Sequence, residues 1–471
     1  MTTGFCCNAL AAILPNATFG QASTTYTSSL ESYWALQEAD IQPPCIFQPR
    51  SAEHVSLAVG TLSTNKCSFA IRSGGHSPNA GAANIANGVT VDLSQLNAIT
   101  LSNDQSIASV GPGAVWGDVY SALDPLNLTV AGGREAGVGV GGLTVGGGIS
   151  YLSPRVGFTC DTVVNFQVVL ANGNIVNSQD DVNLDWSLRG GSNNFGVVTR
   201  IDFATIEQGL LWGGNVYYLI NTIDAQLAAL ANISNPATYD DYASIIMTLA
   251  YSGAEDIQLV VNTIEYTKPE VDPPVFQPLL DIAAIESSMR IDNMSNLATE
   301  LAESSPSGDR AYYMTITHGN SLAMLNATYQ AWSRSVAGIT GVAGIEWSLS
   351  LEPLPPSIYA RHANQNALGL GARHKKGLII TLLTVLWTDE TDDAVVEATA
   401  KTLFEDIRSA AEALDEYDPF LYLNYANTMS WQGSPISAYG SANVARLKRT
   451  GVEVDPSGVF QRLVPGGFKL F

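Results

Sequence analysis

Two glycine-rich segments constrain the fold of this chain more than any other feature of its sequence. The first is Arg72-Ser73-Gly74-Gly75-His76-Ser77, and seven of the twelve residues in the second, 137–148, are glycine. A residue without a side chain lets the backbone approach another group closely and point consecutive N–H groups at phosphates. An apolar stretch at 67–71 and an alternating run at 88–93 flank the first segment, which predicts a loop between two strands. We therefore expect a cofactor that carries phosphate groups.

The second segment differs from the glycine fingerprint of a Rossmann fold. It lacks the strand-then-helix order of that fingerprint, and no suitably placed acidic residue follows a crossover helix. A nicotinamide dinucleotide is therefore disfavoured as the cofactor.

The net charge of the chain limits the classes of molecule that it is expected to bind. There are 22 basic and 44 acidic side chains, which gives a formal net charge of −22. The longest basic clusters are the short runs 374–376 and 448–449, so nucleic acids and anionic membranes are poor partners. No run of about 20 apolar residues marks a membrane span. Charged residues make up 14% of the chain, below the average of about 25%, which indicates a compact protein.

Cysteine usage indicates an oxidising compartment. Cys6, Cys7, Cys45 and Cys67 lack histidine partners at zinc spacing, which favours disulfides over a zinc site. The lone Cys160 is expected to be a buried packing residue rather than a nucleophile. Five N-x-S/T sequons fit an extracellular surface; they begin at Asn16, Asn127, Asn232, Asn293 and Asn326. Because a charged n-region followed by an apolar h-region is missing, we expect a mature secreted form whose signal peptide has been removed.

Four ordered motifs carry a resemblance to a known family. They are R-S-G-G-H at 72–76, V-G-V-G-G-L-T-V-G-G-G-I at 138–149, R-G-G-S-N-N-F-G-V-V-T at 189–199, and a closing segment with Tyr422, Leu423, Asn424, Tyr425, Tyr439, Gly440, Asn443, Arg446, Leu447, Asp455, Pro456 and Phe460. Together these motifs are spread over nearly the whole length of the chain. They resemble the FAD-linked oxidases of the berberine-bridge-enzyme and vanillyl-alcohol-oxidase type, with a PCMH-type FAD-binding domain, particularly the secreted fungal members.

The resemblance implies that His76 carries FAD covalently, through a ring nitrogen bonded to the 8α-methyl carbon. The alternative is a loop histidine that is hydrogen-bonded to the backbone. Many relatives add a second flavin bond from a cysteine, and Glu135 stands at that position, so a single tether is implied. The residue that matches Val138 gates oxygen in relatives, and a small branched side chain there resembles the oxidases.

The resemblance also assigns further residues to the cofactor and implies a disulfide pattern. The cofactor set is Arg72, Ser73, Gly74, Gly75, His76, Ser77, Val138, Gly139, Gly141, Gly142, Thr144, Gly146, Gly147, Ile149, Val198 and Asn424. In plant relatives a disulfide ties an N-terminal helix to the helix before the first glycine loop. This implies a bond from Cys6 or Cys7 to Cys67 and leaves the other cysteine for Cys45.

The chain divides into four parts. Residues 1–40 show helical spacing around Leu30, Tyr33, Trp34 and Leu36. We expect 41–205 to form the FAD-binding domain, 206–420 to form the substrate domain, and 421–471 to return to the FAD-binding domain. A β-hairpin is predicted around Asn172-Gly173. Helices at 222–232 and 393–413 and a strand at 377–386 indicate an antiparallel sheet covered by helices. The fold class is therefore α+β, with a two-subdomain FAD-binding domain beside a substrate domain.

Tyr425 is the candidate catalytic base by resemblance, assisted by a carboxylate on a nearby strand. A phenol with a pKa near 10 needs such help near neutral pH. Glu352 is the candidate carboxylate, because alternation places it on one strand face with Ser348 and Ser350. The alternatives are a solvated strand face for Glu352 and a hydrogen-bonded core position for Tyr425.

The remaining polar candidates are given lesser roles. His318, His362 and His374 lack metal spacing and are taken as structural, and no metal site is expected. Asn424 is expected to hold the flavin edge or to orient Tyr425. Arg155 is a candidate for the FAD phosphates, with a surface position as the alternative.

These features predict a secreted, monocovalent FAD oxidase that is a monomer or weak oligomer. It would remove a hydride from a C–H that bears OH or NH on a small secondary metabolite and pass the electrons to O2 as H2O2. The alternatives are an oligosaccharide oxidase acting at the anomeric carbon, a flavin-binding non-redox cyclase, and a secreted binding protein.

Overall fold

The computed structural model describes residues 3–373, 377–428 and 432–471. The strands are β1 Thr18–Gly20, β2 Cys45–Phe47, β3 Phe69–Arg72, β4 Val89–Asp92, β5 Ile99–Leu101, β6 Ile107–Val110, β7 Leu128–Thr129, β8 Val163–Val169, β9 Ile175–Asn177, β10 Val197–Ala204, β11 Ile206–Glu207, β12 Leu211–Leu219, β13 Ala243–Ser252, β14 Ile257–Tyr266, β15 Glu286–Ser287, β16 Arg290–Asp292, β17 Arg310–Gly319, β18 Glu346–Leu354, β19 Leu378–Trp387 and β20 Tyr417–Asp418. The α-helices are α1 Thr3–Ile13, α2 Thr24–Glu31, α3 Leu36–Ala39, α4 Ala52–Thr64, α5 Trp116–Leu123, α6 Val140–Val145, α7 Ser153–Val156, α8 Val182–Leu188, α9 Ile223–Ile233, α10 Gln277–Leu280, α11 Met294–Glu303, α12 Leu322–Val336, α13 Pro356–Tyr359, α14 Asp393–Ala413, α15 Ser441–Val454 and α16 Val459–Arg462.

Two larger sheets and the two-stranded pair β7–β11 lie in the described part of the N-terminal half. The smaller of the two larger sheets has the strand order β1-β2-β4-β3, and β3 and β4 pair in parallel, so the first glycine-rich segment follows β3 in the connection to β4. The other larger sheet is antiparallel, with the order β5-β6-β10-β8-β9. Its β8–β9 pair brackets Asn172-Gly173, where Gly173 takes φ +85°, which a glycine adopts without strain. The predicted hairpin is confirmed.

A large antiparallel sheet dominates the residues after 206. Its order is β15-β12-β14-β13-β18-β19-β17-β20, and β16 also pairs with β12. One face packs on α9, α12 and α14 through a buried apolar cluster that includes Trp347, Leu349 and Leu351. The predicted helices at 222–232 and 393–413 correspond to α9 and α14, and the predicted strand at 377–386 to β19. The α+β class, with helices covering an antiparallel sheet, is therefore confirmed.

The segment 1–40 is less helical than its spacing predicts. Helices α1, α2 and α3 are separated, and β1 pairs with β2 at the edge of the small sheet. Tyr33 and Trp34, which anchored the helical pattern, lie between α2 and α3 and are both buried. The expectation of a helical segment is wrong at these positions, because the two rings are held by tertiary contacts with the glycine-rich loop rather than by a helix.

The N-terminal cysteines form two disulfides, Cys6–Cys67 and Cys7–Cys45. They join α1 to the start of β2 and to the turn between α4 and β3. The implied pattern is confirmed, and the ambiguity between Cys6 and Cys7 is resolved.

The C-terminal segment packs on elements of the first half of the chain. Helix α15 packs on α8, and the Phe460 ring packs edge-on against Phe69 of β3 at 6.4 Å between centroids. The Tyr439 hydroxyl donates to the Gly190 carbonyl at 3.0 Å. Among the described helices, none is long and apolar enough to cross a bilayer.

Candidate active site

A cavity of about 1160 Å³ lies between the glycine-rich loops and the second face of the large sheet. This face carries Ser348, Ser350 and Glu352 of β18, which all line the cavity, while Trp347 and Leu349 point to the opposite core. The predicted alternation along β18 is therefore confirmed. A cavity of this size exceeds the ~300–1,000 Å³ typical of drug-sized ligands, which leaves room for a large cofactor and a small substrate.

The two glycine-rich segments cross each other at Gly74 and Gly139. A Cβ added to Gly74 would lie 2.6 Å from the Cα and N atoms of Gly139. A Cβ on Gly146 would likewise collide with Oδ1 of Asn424. Many of these glycines therefore allow close contact between protein segments. At Gly142, by contrast, nothing lies within 4 Å of an added Cβ, and this residue faces the open cavity.

Most of the predicted cofactor residues line this cavity. They are Ser73, Gly74, Gly75, His76, Ser77, Val138, Gly139, Gly141, Gly142, Ile149, Val198 and Asn424. The loop that holds them is braced by the Ser73 hydroxyl, which donates to the Pro112 carbonyl and accepts from the Gly141 N–H.

Four predicted cofactor residues support the cavity wall without lining the cavity. The Arg72 guanidinium donates to the Ser32 carbonyl at 2.9 Å and stacks on the Tyr33 ring, with 3.8 Å from Cζ to the centroid. The Thr144 hydroxyl donates to the Val140 carbonyl at 2.7 Å within α6. Gly146 and Gly147 pack against protein side chains, namely those of Asn424, Leu368 and Tyr422.

His76 is held on two sides. Its Nε2 atom lies 2.9 Å from Oε1 of Glu135, and its ring stacks on Trp34 with 4.5 Å between centroids and 7° between planes. The loop-histidine alternative, a ring hydrogen-bonded to the backbone, finds no such bond among the described residues.

Tyr425 and Glu352 meet in the cavity, together with Arg134. The Tyr425 hydroxyl donates to Oε1 of Glu352 at 3.1 Å. The Arg134 guanidinium donates to the Tyr425 oxygen and to Oε2 of Glu352, each at 2.6 Å. Arg134 and Glu352 are buried, with 8% and 5% of their side chains exposed, so this polar cluster is largely removed from bulk water. The solvated-face alternative for Glu352 is thereby excluded.

The electrostatics of the cluster favour a neutral phenol at rest. Burial raises the pKa of Tyr425 well above its usual value, Arg134 opposes this, and Glu352 adds to it. Burial acts to lower the pKa of Arg134, but the charges of Glu352 and Tyr425 raise it above its usual value, so Arg134 stays cationic. A cation and a carboxylate therefore flank one hydroxyl group.

Two neighbours of Tyr425 restrict its ring. The Tyr422 ring meets it edge-on at 4.7 Å between centroids, and the Tyr313 ring meets it at 6.1 Å. The Asn424 amide donates to the Leu143 carbonyl and to the Tyr422 hydroxyl, each at 3.0 Å. Asn424 thus ties Tyr422, and through it Tyr425, to the second glycine-rich segment.

The lesser candidates lie away from this cluster. Cys160 is fully buried, and burial raises the pKa of its thiol, which confirms the packing interpretation. His318 is buried between Thr381 and the Gly319 carbonyl, and burial lowers its pKa to about 4. Arg155 donates to Gln208 at 2.9 Å rather than lining the cavity, and His362 contacts Gln365. His374 lies outside the described residues.

Sequence reasoning missed two residues of this site. Arg134 was not recognised, because its partners Glu352 and Tyr425 lie 218 and 291 positions away. Trp34 was treated as part of a helix, although it stacks on His76 across the loop. The available sequence signal for Arg134 was its place just before the second glycine-rich segment, in a chain with few basic residues.

The residues present fit FAD. The open space at Gly142 and the crossing glycine segments form a backbone cradle, and the exposed edge of His76 faces the same cavity. A model of the FAD binding domain family matches residues 43–179, which include the first glycine-rich segment and the second.

Two curated fungal relatives match nearly the whole chain. "Oligopeptidase PhomG'" of Diaporthe leptostromiformis is 40% identical over 462 residues, which are 95% of this chain and 36% of that relative. This chain therefore spans about a third of that relative's length. "FAD-dependent monooxygenase CTB5" of Cercospora beticola is 34% identical over 488 residues, which cover 99% of this chain and 91% of the relative.

Solved structures share the fold. Physcomitrella patens BBE-like 1 superposes with a TM-score of 0.80 at 18% identity and covers 100% of both chains. A chitooligosaccharide oxidase superposes with a TM-score of 0.77 at 21% identity and covers 98% of this chain and 99% of its own. With the family model and the fungal relatives, these matches show that the chain belongs to the berberine-bridge-enzyme-like family of FAD-dependent oxidoreductases, with a PCMH-type FAD-binding domain.

Proposed function

We infer that this enzyme is an oxidase that removes a hydride from a carbon bearing OH or NH on a small metabolite. The contact of the Tyr425 hydroxyl with both Glu352 and Arg134 carries this inference. A base at Tyr425 would lie in the same cavity as the glycine-rich loops that would hold FAD, which supports the proposal. When bound, FAD accepts the hydride from the substrate carbon.

Side chains of the protein itself remove the proton from the OH or NH group of the substrate. Because the pKa of Tyr425 is raised, its phenolate is scarcely populated near neutral pH, and the phenol acts as a base only while it passes its own proton on. The Tyr425 oxygen takes the proton of the substrate OH or NH as the phenol proton moves to Oε1 of Glu352. The Arg134 guanidinium stabilises the negative charge on the phenol oxygen during this transfer.

The substrate side of the cavity carries both apolar and polar side chains. The large sheet contributes aliphatic side chains there, including Ile246, Ala250 and Leu382. A hydroxyl pair, Thr248 and Ser350, lies among them at 2.9 Å between oxygen atoms. We favour a small secondary metabolite over an oligosaccharide because Glu135 stands where relatives that oxidise bulky sugars carry a second tethering cysteine.

We further infer a single covalent tether at His76 and dioxygen as the electron acceptor. Glu135 occupies the place of a second tethering cysteine, and Val138 lines the cavity where relatives gate oxygen. Two disulfides and exposed sequon residues at Asn16, Asn127 and Asn232 support secretion and glycosylation.

The test is anaerobic mixing of the purified enzyme with candidate metabolites while the flavin absorbance is followed. We expect substrate to bleach the flavin, air to restore it, and one H2O2 to form per product. Tyr425→Phe should slow the bleaching by about 10² to 10⁴-fold, since it removes the base and keeps the ring.

Three outcomes would contradict this function. An unchanged reduction rate in Tyr425→Phe removes that residue from the proton relay. Incorporation of labelled oxygen into the product, with an external reductant required, favours a monooxygenase, as the names of several relatives suggest. No bleaching by any substrate class, together with tight ligand binding, favours the cyclase or binding-protein alternatives.

A further inference from the structure

We propose that Glu135 is a positioning residue for the attachment of FAD to His76. It selects the imidazole tautomer that attacks FAD and stabilises the charge that forms on the ring. This inference rests on the covalent tether in the proposed function.

The His76 ring has two occupied sides and one open side. Glu135 takes the Nε2 edge at 2.9 Å, and Trp34 covers one face in a nearly parallel stack. Trp34 is itself held by its indole N–H, which donates to the Ser305 carbonyl at 3.1 Å, and by its backbone N–H, which donates to the Gly75 carbonyl at 3.1 Å. Within the described residues, no protein group is hydrogen-bonded to Nδ1. Since His76 lines the cavity, Nδ1 is the nitrogen available to a cofactor.

A carboxylate on Nε2 decides which nitrogen is nucleophilic. An ionised carboxylate only accepts hydrogen bonds, so Nε2 must carry the proton in the contact with Glu135. In a neutral imidazole, the other nitrogen then holds the free lone pair. Glu135 therefore leaves the lone pair of His76 on Nδ1.

The attachment step balances with dioxygen as the oxidant. A bond forms between Nδ1 and the 8α-methyl carbon of FAD, and one C–H bond of that methyl group breaks. Two electrons pass into FAD and then to O2. The O2 takes up two protons, one from the methyl group and one from the imidazole, and leaves as H2O2.

The ring becomes cationic as the new bond forms, and its neighbours stabilise that charge. The Glu135 carboxylate lies against the Nε2–H, where a charge-assisted hydrogen bond is stronger than a neutral one. The Trp34 ring lies over the imidazole face, which favours a cation. Both side chains of this contact are largely shielded, with 13% and 17% exposed for His76 and Glu135.

The backbone holds Glu135 in place independently of its side chain. The Ala136 N–H donates to the Ala298 carbonyl at 3.0 Å, and the Gly117 N–H donates to the Ala136 carbonyl at 2.9 Å. The preceding residue, Arg134, is fixed by Glu352 and Tyr425. Truncation of the Glu135 side chain should therefore leave the loop in its native course.

The experiment produces full-length protein without flavin, in riboflavin-starved cells, and adds FAD in aerated buffer. Covalent incorporation is followed by the flavin that stays with acid-precipitated protein. The tethered peptide is then digested, and NMR identifies the bonded nitrogen. Variants are Glu135→Ala, Glu135→Asp and Glu135→Gln, with Glu286→Ala as a matched control, because Glu286 is an exposed glutamate of β15 that also lines the cavity.

We expect wild type and Glu286→Ala to form the bond at Nδ1 alone. Glu135→Ala should slow covalent incorporation by about 10- to 100-fold, the scale for losing a group that orients a histidine, and should yield bonds at both nitrogens. Its rapid non-covalent binding of FAD should be unchanged. Glu135→Asp should restore part of the rate. Glu135→Gln keeps a hydrogen-bond acceptor without the charge, so its covalent incorporation should be slow yet selective for Nδ1. If Glu135→Ala fails to fold, Glu135→Gln serves as the test variant in its place.

Two results would overturn the proposal. If every Glu135 variant formed the Nδ1 bond at the wild-type rate, Glu135 would have no role in attachment, and the proposed oxidase function would stand. If wild-type protein held no flavin on the His76 peptide, the tether itself would be absent, while bleaching by substrate would still report on oxidation.

Discussion

At the scale of single residues, Arg134 links Tyr425, the proposed base, to the Glu352 carboxylate. Its guanidinium reaches the Tyr425 oxygen and Oε2 of Glu352 at once, each at 2.6 Å. A planar, permanently charged group with several donors suits this double contact better than the ammonium of a lysine. We therefore expect the identity of this residue to affect both the folding stability and the proposed proton relay.

Replacing Arg134 by Met should slow anaerobic flavin reduction by about 10² to 10³-fold, the scale for losing a donor that stabilises developing negative charge. It should also lower the free energy of unfolding by about 3–5 kcal/mol, because Glu352 would be left buried and unpaired. The rate is measured by stopped flow and the stability by urea denaturation. Arg134→Lys should lose less of the flavin-reduction rate and less of the free energy of unfolding, because it keeps a positive charge.

A double variant separates the two effects. Arg134→Met with Glu352→Gln removes both charges, so it should regain stability while reduction stays slow. Fast reduction in the folded Arg134→Met protein would limit Arg134 to a structural role.

At the scale of elements, the glycine-rich segments act as a crossing of two backbones as well as a cradle. Gly139 opens α6 at the point where its Cα meets Gly74, whereas Gly142 lies one turn later with open space beside it. Two glycines of one motif therefore serve different purposes, which sequence alone does not distinguish.

Alanine substitutions should separate these purposes. Gly139→Ala should lower the free energy of unfolding of the flavin-free protein by about 1–3 kcal/mol, since its Cβ would press on backbone atoms of Gly74. Gly142→Ala should leave that stability unchanged and weaken FAD binding, because its Cβ would enter the cavity. Thermal unfolding and FAD titration measure the two quantities, and equal destabilisation by both variants would contradict this assignment.

At the scale of the whole molecule, buried carboxyl groups make stability depend on pH. Burial raises the pKa of Glu38 to about 7 against the opposing backbone N–H groups of Ala83 and Gly81. Burial also raises the pKa of Glu265 well above its usual value, and the charge of Glu300 adds to this. In the folded state both groups retain a proton that the unfolded chain releases above a pH of about 4.5.

The stability from Glu38 is therefore fully present below about pH 4.5 and is lost as the pH rises through about 7. The stability from Glu265 is likewise present below its ordinary pKa and is lost as the pH rises toward its raised folded-state pKa. We expect the midpoint of thermal unfolding to decrease from pH 5 to pH 8 on this account, and the net charge of −22 acts in the same direction. Glu265→Gln should flatten the slope, while Glu255→Gln on the exposed surface should not. A slope that is the same in wild type and Glu265→Gln would refute the role of Glu265.

The sequence alone determined the features that depend on local signals. Turn chemistry at Asn172-Gly173, apolar periodicity in α14 and the run of apolar residues in β19 each act within a few positions, so the hairpin, the helix and the strand were predicted. The ordered motifs identified the family, and alternation along β18 placed Glu352 on the polar face.

Only the tertiary structure decided how these parts meet. The contact of Arg134 with Tyr425 spans 291 positions, and that of Trp34 with Ser305 spans 271, so each depends on the packing of the large sheet against the glycine-rich loops. Local helical spacing around Tyr33 and Trp34 was overridden because burying both rings against Arg72 and His76 outweighs one more helical turn. The positions of the proposed catalytic groups are thus a property of the packed fold, because the site joins residues that no local pattern connects.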